Sequence, residues 1–154
     1  MFSYQKEYPR YYTKYTTIYA QTQKRRINLK GTDYFRELLG IKVLETKDGY
    51  SKMSLKITKK HTNAVGFTHG GVLFALADCV FAEAVNFGDK QAVAVQVSIN
   101  FLRPTSEGDV LIAEATTVSD GKTLALCSVA VKKEDKDVAL FSGLAYKILA
   151  DKKV

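Results

Sequence analysis

The sequence predicts an α+β domain in which an antiparallel sheet of about six strands wraps around one long central helix. Three observations predict it. Residues Val72 to Ala82 form an apolar run holding a single charge, Asp78, and a helix that is apolar on every side is a buried one. From Val93 to Phe101 every odd residue is large and apolar (Val93, Val95, Val97, Ile99, Phe101), which is strand alternation with one large-residue face. Downstream, three short turns join four strands into an antiparallel meander, and a sheet curled around the helix buries both apolar surfaces.

Residues 1–31 precede this domain as a basic, Tyr-rich extension. They hold six of the nine tyrosines (Tyr4, Tyr8, Tyr11, Tyr12, Tyr15, Tyr19) together with seven Lys/Arg and one acid, a charge of +6 out of the total +7. The basicity therefore belongs to the arm and not to the fold, which argues against nucleic acid as a partner. Interleaved Tyr and Lys/Arg could also make a cation–π, single-strand or membrane-facing surface. We read the arm as an extension that packs on a neighbouring subunit.

The domain proper is expected over 32–150. "TDYFRELLG" reads as a short helix with Thr32 or Asp33 as N-cap and Gly40 just past its end. A hairpin follows, Ile41–Thr46 and Tyr50–Ile57, around the favoured turn Asp48-Gly49. After Lys59-Lys60 the chain loops through Asn63 and Gly66 into the central helix, which should stop near Gly88. Beyond the Val93–Phe101 strand, "SEGD", "SDGK" and "KKEDKD" are turns between strands at Val110–Val118, Thr123–Val131 and Val138–Leu149.

Cys79 and Cys127 both lie in apolar runs and read as buried free thiols of a reducing compartment. No signal-peptide stretch opens the chain, and the central run is too short and too interrupted to span a bilayer. These features predict a cytoplasmic protein with no membrane association. His61 and His69 are the only histidines, no zinc spacing exists, and we expect neither metal nor cofactor.

Gly70 and Gly71 stand where the central helix begins. The first N–H groups of a helix lack partners within it, glycine allows close approach, and the helix dipole favours negative charge there. Such a terminus can bind an anion or polarise a carbonyl whose oxygen becomes negative during reaction. Asp78 lies seven residues beyond Gly71, roughly 10 Å along the axis at about 1.5 Å per residue. It cannot touch a carbonyl held by its own Gly71. A second helix packed antiparallel would bring its Asp78 to the first copy's glycines, so the spacing points to a two-fold dimer with two shared sites.

The pattern N-x-x-G-x-x-HGG-x-x-x-x-x-x-D, complete from Asn63 to Asp78, resembles the hotdog fold and within it the PaaI-like (phenylacetyl-CoA thioesterase type) acyl-CoA thioesterases. "INFLRPTSEGD" and "SDGKTLALCSVAV" resemble the same family, and the likeness covers roughly residues 33–148. It implies a homodimer, a dimer-of-dimers tetramer, and an acyl-CoA substrate hydrolysed to the acid and coenzyme A. It further implies that the Gly71 N–H polarises the thioester carbonyl and that Asp78 of the facing subunit attacks or activates water. Asn63 would hold the water or substrate, and His69 would orient the loop. Some relatives carry Ser or Thr on the strand after the helix; Ala94 stands there in this chain. The arm lies outside the family pattern.

Each assignment has a plainer alternative. Asp78 could stabilise the dimer, His69 could be structural, and Asn63 could serve an Asx turn. Phe74, Leu76 and Phe81 fit a core as well as an acyl pocket, with Phe74 and Gly70 taken as the substrate contacts. Arg103 and Lys122, with Lys132 and Lys133, could meet coenzyme A phosphates or be solvated turn charges. A non-catalytic acyl-CoA-binding regulatory module is the alternative function, and a hydratase or dehydratase on the same fold is a weaker one.

Overall fold

The computed structural model describes residues 31–148. The Tyr-rich arm, apart from Gly31, and the chain beyond 148 lie outside the described residues. Helix α1 (Tyr34–Leu39) is capped at its start by Asp33, whose carboxylate accepts the Arg36 N–H at 2.9 Å. Gly40 ends it at φ +72°, a left-handed conformation that glycine adopts without strain. The hairpin β1 (Lys42–Lys47) and β2 (Tyr50–Lys56) then turns at Asp48-Gly49 as its sequence predicts.

Helix α2 (Gly70–Val85) is the single long helix among the described residues. Its side chains Leu73, Leu76, Ala77, Val80, Phe81 and Ala84 are buried. Leu76, Val80 and Phe81 are fully enclosed, and each such side chain contributes roughly 1.5–3 kcal/mol by leaving water. The helix stops earlier than Gly88. Asn86 supplies the reason: its side-chain amide donates to Ala82 O at 2.8 Å and its carbonyl accepts the Ala92 N–H at 2.6 Å. One side chain thus caps the helix and starts the next strand.

Strands β3 (Ala92–Phe101), β4 (Val110–Asp120), β5 (Leu124–Lys133) and β6 (Lys136–Lys147) complete one six-stranded sheet in the order β1-β2-β4-β5-β6-β3, every pair antiparallel. The sheet turns Met53, Leu55, Ala113, Ala115, Val129 and Phe141 toward α2. Gly143 lets two aromatic rings close over the sheet, because a Cβ there would lie 2.9 Å from both Phe81 and Phe141. This is the hotdog arrangement that the sequence resembles.

Two strand expectations need correction. A β-bulge between Ala94 and Gln96 divides β3, so its odd residues do not share one face. Val97 and Ile99 pair with the inward Gly143 and Phe141, whereas Val93 pairs with the outward Tyr146 and Val95 is exposed. The extra residue reverses the alternation at that point. The "KKEDKD" turn is also shorter than expected. Lys132, Lys133 and Lys136 belong to strands, leaving Glu134-Asp135 as the connection with Glu134 at φ +53°. Charged strand ends carry no apolar alternation by which to read them.

Candidate active site

The loop before α2 is pinned to the fold at three points. His69 N–H donates to His61 O at 2.8 Å, Thr68 N–H to Thr105 O at 2.7 Å, and the buried Thr105 hydroxyl to Thr68 Oγ1 at 2.7 Å. Asn63 organises the loop itself: its Oδ1 accepts the Val65 and Phe67 N–H groups at 3.0 and 3.2 Å. That is Asx-turn work. These anchors fix where the first turn of α2 begins.

His69 is the N-cap of α2. Its Nδ1 accepts the Gly71 N–H at 2.9 Å, so the amide that could polarise a carbonyl already holds a hydrogen bond. His69 is exposed, and an incoming acceptor can replace an imidazole that rotates aside into water. The ring of Phe101 lies beneath Gly70, where a Cβ would come within 3.2 Å of it. A side chain at position 70 would press on that ring, so glycine here matters for contact and not for conformation.

Asp78 lies two turns along the unbroken helix from Gly71, at the half-buried edge of a stripe that also includes Ala82. No protein hydrogen bond or ion pair engages its carboxylate among the described residues. Burial pushes its pKa above the usual carboxylate range, and the nearby Asp33 carboxylate adds to the rise. Cys79 beside it is pushed up to about 12, and Cys127 up to about 11, in both cases chiefly by burial. Both are free thiols that stay protonated near neutral pH and lack the thiolate character of a nucleophile.

A cleft of about 360 Å³ opens beside the helix terminus, walled by Phe67, Leu73, Phe101, Leu102 and Pro104 with Gly70 and Arg103 at its margin. The structure thus gathers Gly70, Gly71, His69 and Arg103 at one end of the domain. Arg103 Nη1 donates to Asp137 O at 2.5 Å, which holds the guanidinium near the cleft. Lys133 is engaged by Asp109 at 2.7 Å and Lys132 faces Asp137 at 4.0 Å. Lys122 is not brought to this end. It lies in the β4–β5 turn, while Arg103 follows β3 at the opposite end of the strands, roughly 30 Å away at about 3.4 Å per residue. Phe74 is absent from the cleft walls and packs edge-on against Phe141, 5.8 Å between centroids at 71°.

Phe101, Thr68 and Thr105 were not singled out by sequence, although they shape this end. Phe101 is only the last residue of an alternating strand, and the two threonines sit in irregular segments with no period. Asp33 was legible as a cap but not as a neighbour of Asp78, since that proximity depends on how α1 docks. Among the described residues no group of three His, Cys, Asp or Glu side chains could hold a metal ion, and no helix is long and apolar enough to cross a membrane.

Comparison with known proteins places this geometry in context. Residues 65–140 match the family model described as the thioesterase superfamily. The acyl-coenzyme A thioesterase PaaI of Escherichia coli is 36% identical over 75% of this chain and 84% of its own. Its solved structure superposes with a TM-score of 0.74, covering 90% of this chain and 96% of that one. The TT0310 protein of Thermus thermophilus superposes at 0.73 with 37% identity, over 75% and 98% of the two chains. A hypothetical thioesterase of Streptococcus pneumoniae, solved with coenzyme A, superposes at 0.68 with 26% identity over 70% and 85%.

Proposed function

The chain belongs to the thioesterase superfamily, and from that premise we propose that it hydrolyses acyl-coenzyme A thioesters in two sites shared across a homodimer. The observation that carries the reading is the half-buried Asp78 carboxylate, without a hydrogen-bond or ion-pair partner among the described residues, on the same open side of α2 as the Gly71 N–H and two turns from it. A half-buried carboxylate with no partner is costly and needs a use. A second α2 running antiparallel gives it one. Gly71 of one copy then faces Asp78 of the partner subunit.

Pairing of this kind has a physical basis in β3. It is an edge strand of ten residues with no neighbour on its outer side among the described residues, and unpaired strand edges recruit other strands. In the proposed reaction the thioester oxygen displaces the His69 imidazole from the Gly71 N–H, which stabilises the developing negative charge. Asp78 of the partner subunit acts as nucleophile or as the base that deprotonates water. The carbonyl carbon gains an oxygen, the C–S bond breaks, and the coenzyme A thiolate leaves and takes up a proton; on the nucleophilic route water then cleaves the mixed anhydride, releasing the acid and restoring the Asp78 carboxylate. The apolar cleft suits an acyl or aryl group, its about 360 Å³ falling in the range of small-molecule pockets. Arg103 at its margin suits a phosphate. The two unpaired thiols fit a cytoplasmic setting.

The test is a panel of acyl- and aryl-coenzyme A compounds assayed by thiol release. Hydrolysis that survives extensive chelation supports the reading. Tight acyl-coenzyme A binding with no thiol release would favour the non-catalytic regulatory module instead.

A further inference from the structure

His61 is a buried polar side chain that the reaction above leaves unused. It ends a short 3₁₀ turn (Lys59–His61) between β2 and the loop that leads to α2. Its ring Nδ1 accepts the Thr58 N–H at 3.2 Å, and its own N–H donates to Thr58 O at 2.9 Å. Lys59 and Lys60 are exposed, so the His61 ring is the buried side chain of this turn. Thr58 follows Ile57, which is fully buried and bonded both ways to the β3–β4 connection. The Ile57 N–H donates to Asp109 O at 2.8 Å, and the Gly108 N–H donates to Ile57 O at 2.9 Å. One end of the turn is therefore fixed in the core.

The other end leads to the proposed donor. His61 O accepts the His69 N–H at 2.8 Å, and His69 Nδ1 accepts the Gly71 N–H at 2.9 Å. We propose that His61 is a positioning residue for the thioesterase site: its imidazole braces the carbonyl that holds His69 and so fixes where the Gly71 N–H lies. This rests on the reading of Gly71 as the donor to the thioester oxygen.

The local sequence supports the role. Thr58-Lys59-Lys60-His61 has the spacing of a capping box, with histidine where Glu or Gln usually reaches back to the first backbone N–H. Without that acceptor the Thr58 N–H loses its partner and the turn loosens. Two further bonds, from the Thr68 N–H to Thr105 O and from the Thr105 hydroxyl to Thr68 Oγ1, still hold the loop. Loss of the brace should thus displace the donor and not release it. A displaced donor weakens stabilisation of the developing oxyanion, which is felt in kcat more than in substrate binding.

The test compares His61→Leu, which keeps the bulk and removes the acceptor, with His61→Gln, which returns an acceptor to the Thr58 N–H. kcat, KM and the urea midpoint of the full-length variants are measured, using an acyl-coenzyme A that the unmodified protein hydrolyses. His61→Leu should lower kcat about tenfold, short of the ~10² that a 1 Å misplacement can cost, and leave KM nearly unchanged. His61→Gln should recover most of that loss. A kcat unchanged in His61→Leu, whatever happens to the urea midpoint or KM, would make the residue merely structural and overturn the proposal. A Gln variant no faster than the Leu variant would overturn it too. Should His61→Leu not fold, His61→Met replaces it as the variant without the acceptor, because a flexible side chain adapts to the space, and the same outcomes decide. Gly71→Pro is measured alongside. If it is nearly inactive while His61→Leu keeps its kcat, only the His61 proposal fails. If Gly71→Pro keeps full turnover, the reading of Gly71 fails and the proposal falls with it.

Discussion

The His69 imidazole Nδ1 accepts the Gly71 amide N–H at 2.9 Å, so a single bond caps α2 and covers the donor proposed for the thioester oxygen. Capping and catalysis compete for one proton. His69→Ala should therefore destabilise the protein by about 1 kcal/mol through loss of the cap. Turnover should fall less than tenfold, because the amide stays in place. Denaturant unfolding and kcat check both halves, and a loss of activity as deep as that of Asp78→Asn would instead put the imidazole in the chemistry.

Gly143→Ala should destabilise the fold with little effect on the site. Its Cβ would come within 2.9 Å of Phe81 and Phe141, whose rings pack 5.7 Å apart at the heart of the core. Overpacking of this kind costs about 1–3 kcal/mol. The urea midpoint should fall while KM holds, and an unchanged midpoint would mean that the two rings can separate freely.

Asp78→Asn should raise thermal stability at neutral pH. The folded-state pKa of Asp78 is raised above 3.8, so the folded chain holds its proton more tightly than the unfolded one. Stability linked to this group is present below pH 3.8 and is lost as pH rises through the folded value. Removing the ionisable group should thus increase Tm near pH 7, by about 2–4 °C if the relief is ~1 kcal/mol, with a smaller difference in acid. A variant less stable than the unmodified protein at pH 7 would point to a structural carboxylate.

Most of the architecture was legible because periodicity reports burial directly. The apolar run of α2, the Asp48-Gly49 turn and the capped helix α1 each carried a local signal. β3 misled because a bulge shifts the alternation by one residue without marking the composition, placing Val93 and Val95 away from Val97 and Ile99. At the site, the Gly71–Asp78 spacing was readable as helix geometry. The separation of Lys122 from Arg103 was not, since it follows from strand order and register. Nor was the hold of His69 on Gly71, which depends on a side-chain rotamer at the cap.

The shared site is the central claim, and subunit exchange tests it most directly. Gly71→Pro removes the amide donor, together with its bond to His69, and should lower turnover by about 10²–10³. Asp78→Ala removes the carboxylate from the other half of the site. Mixed dimers of the two carry one site with both defects and one with neither. Purified heterodimers should recover about half the turnover of the unmodified dimer, while each parent homodimer stays nearly inactive. Heterodimers no more active than their parents would contradict a site built from Gly71 of one chain and Asp78 of the other.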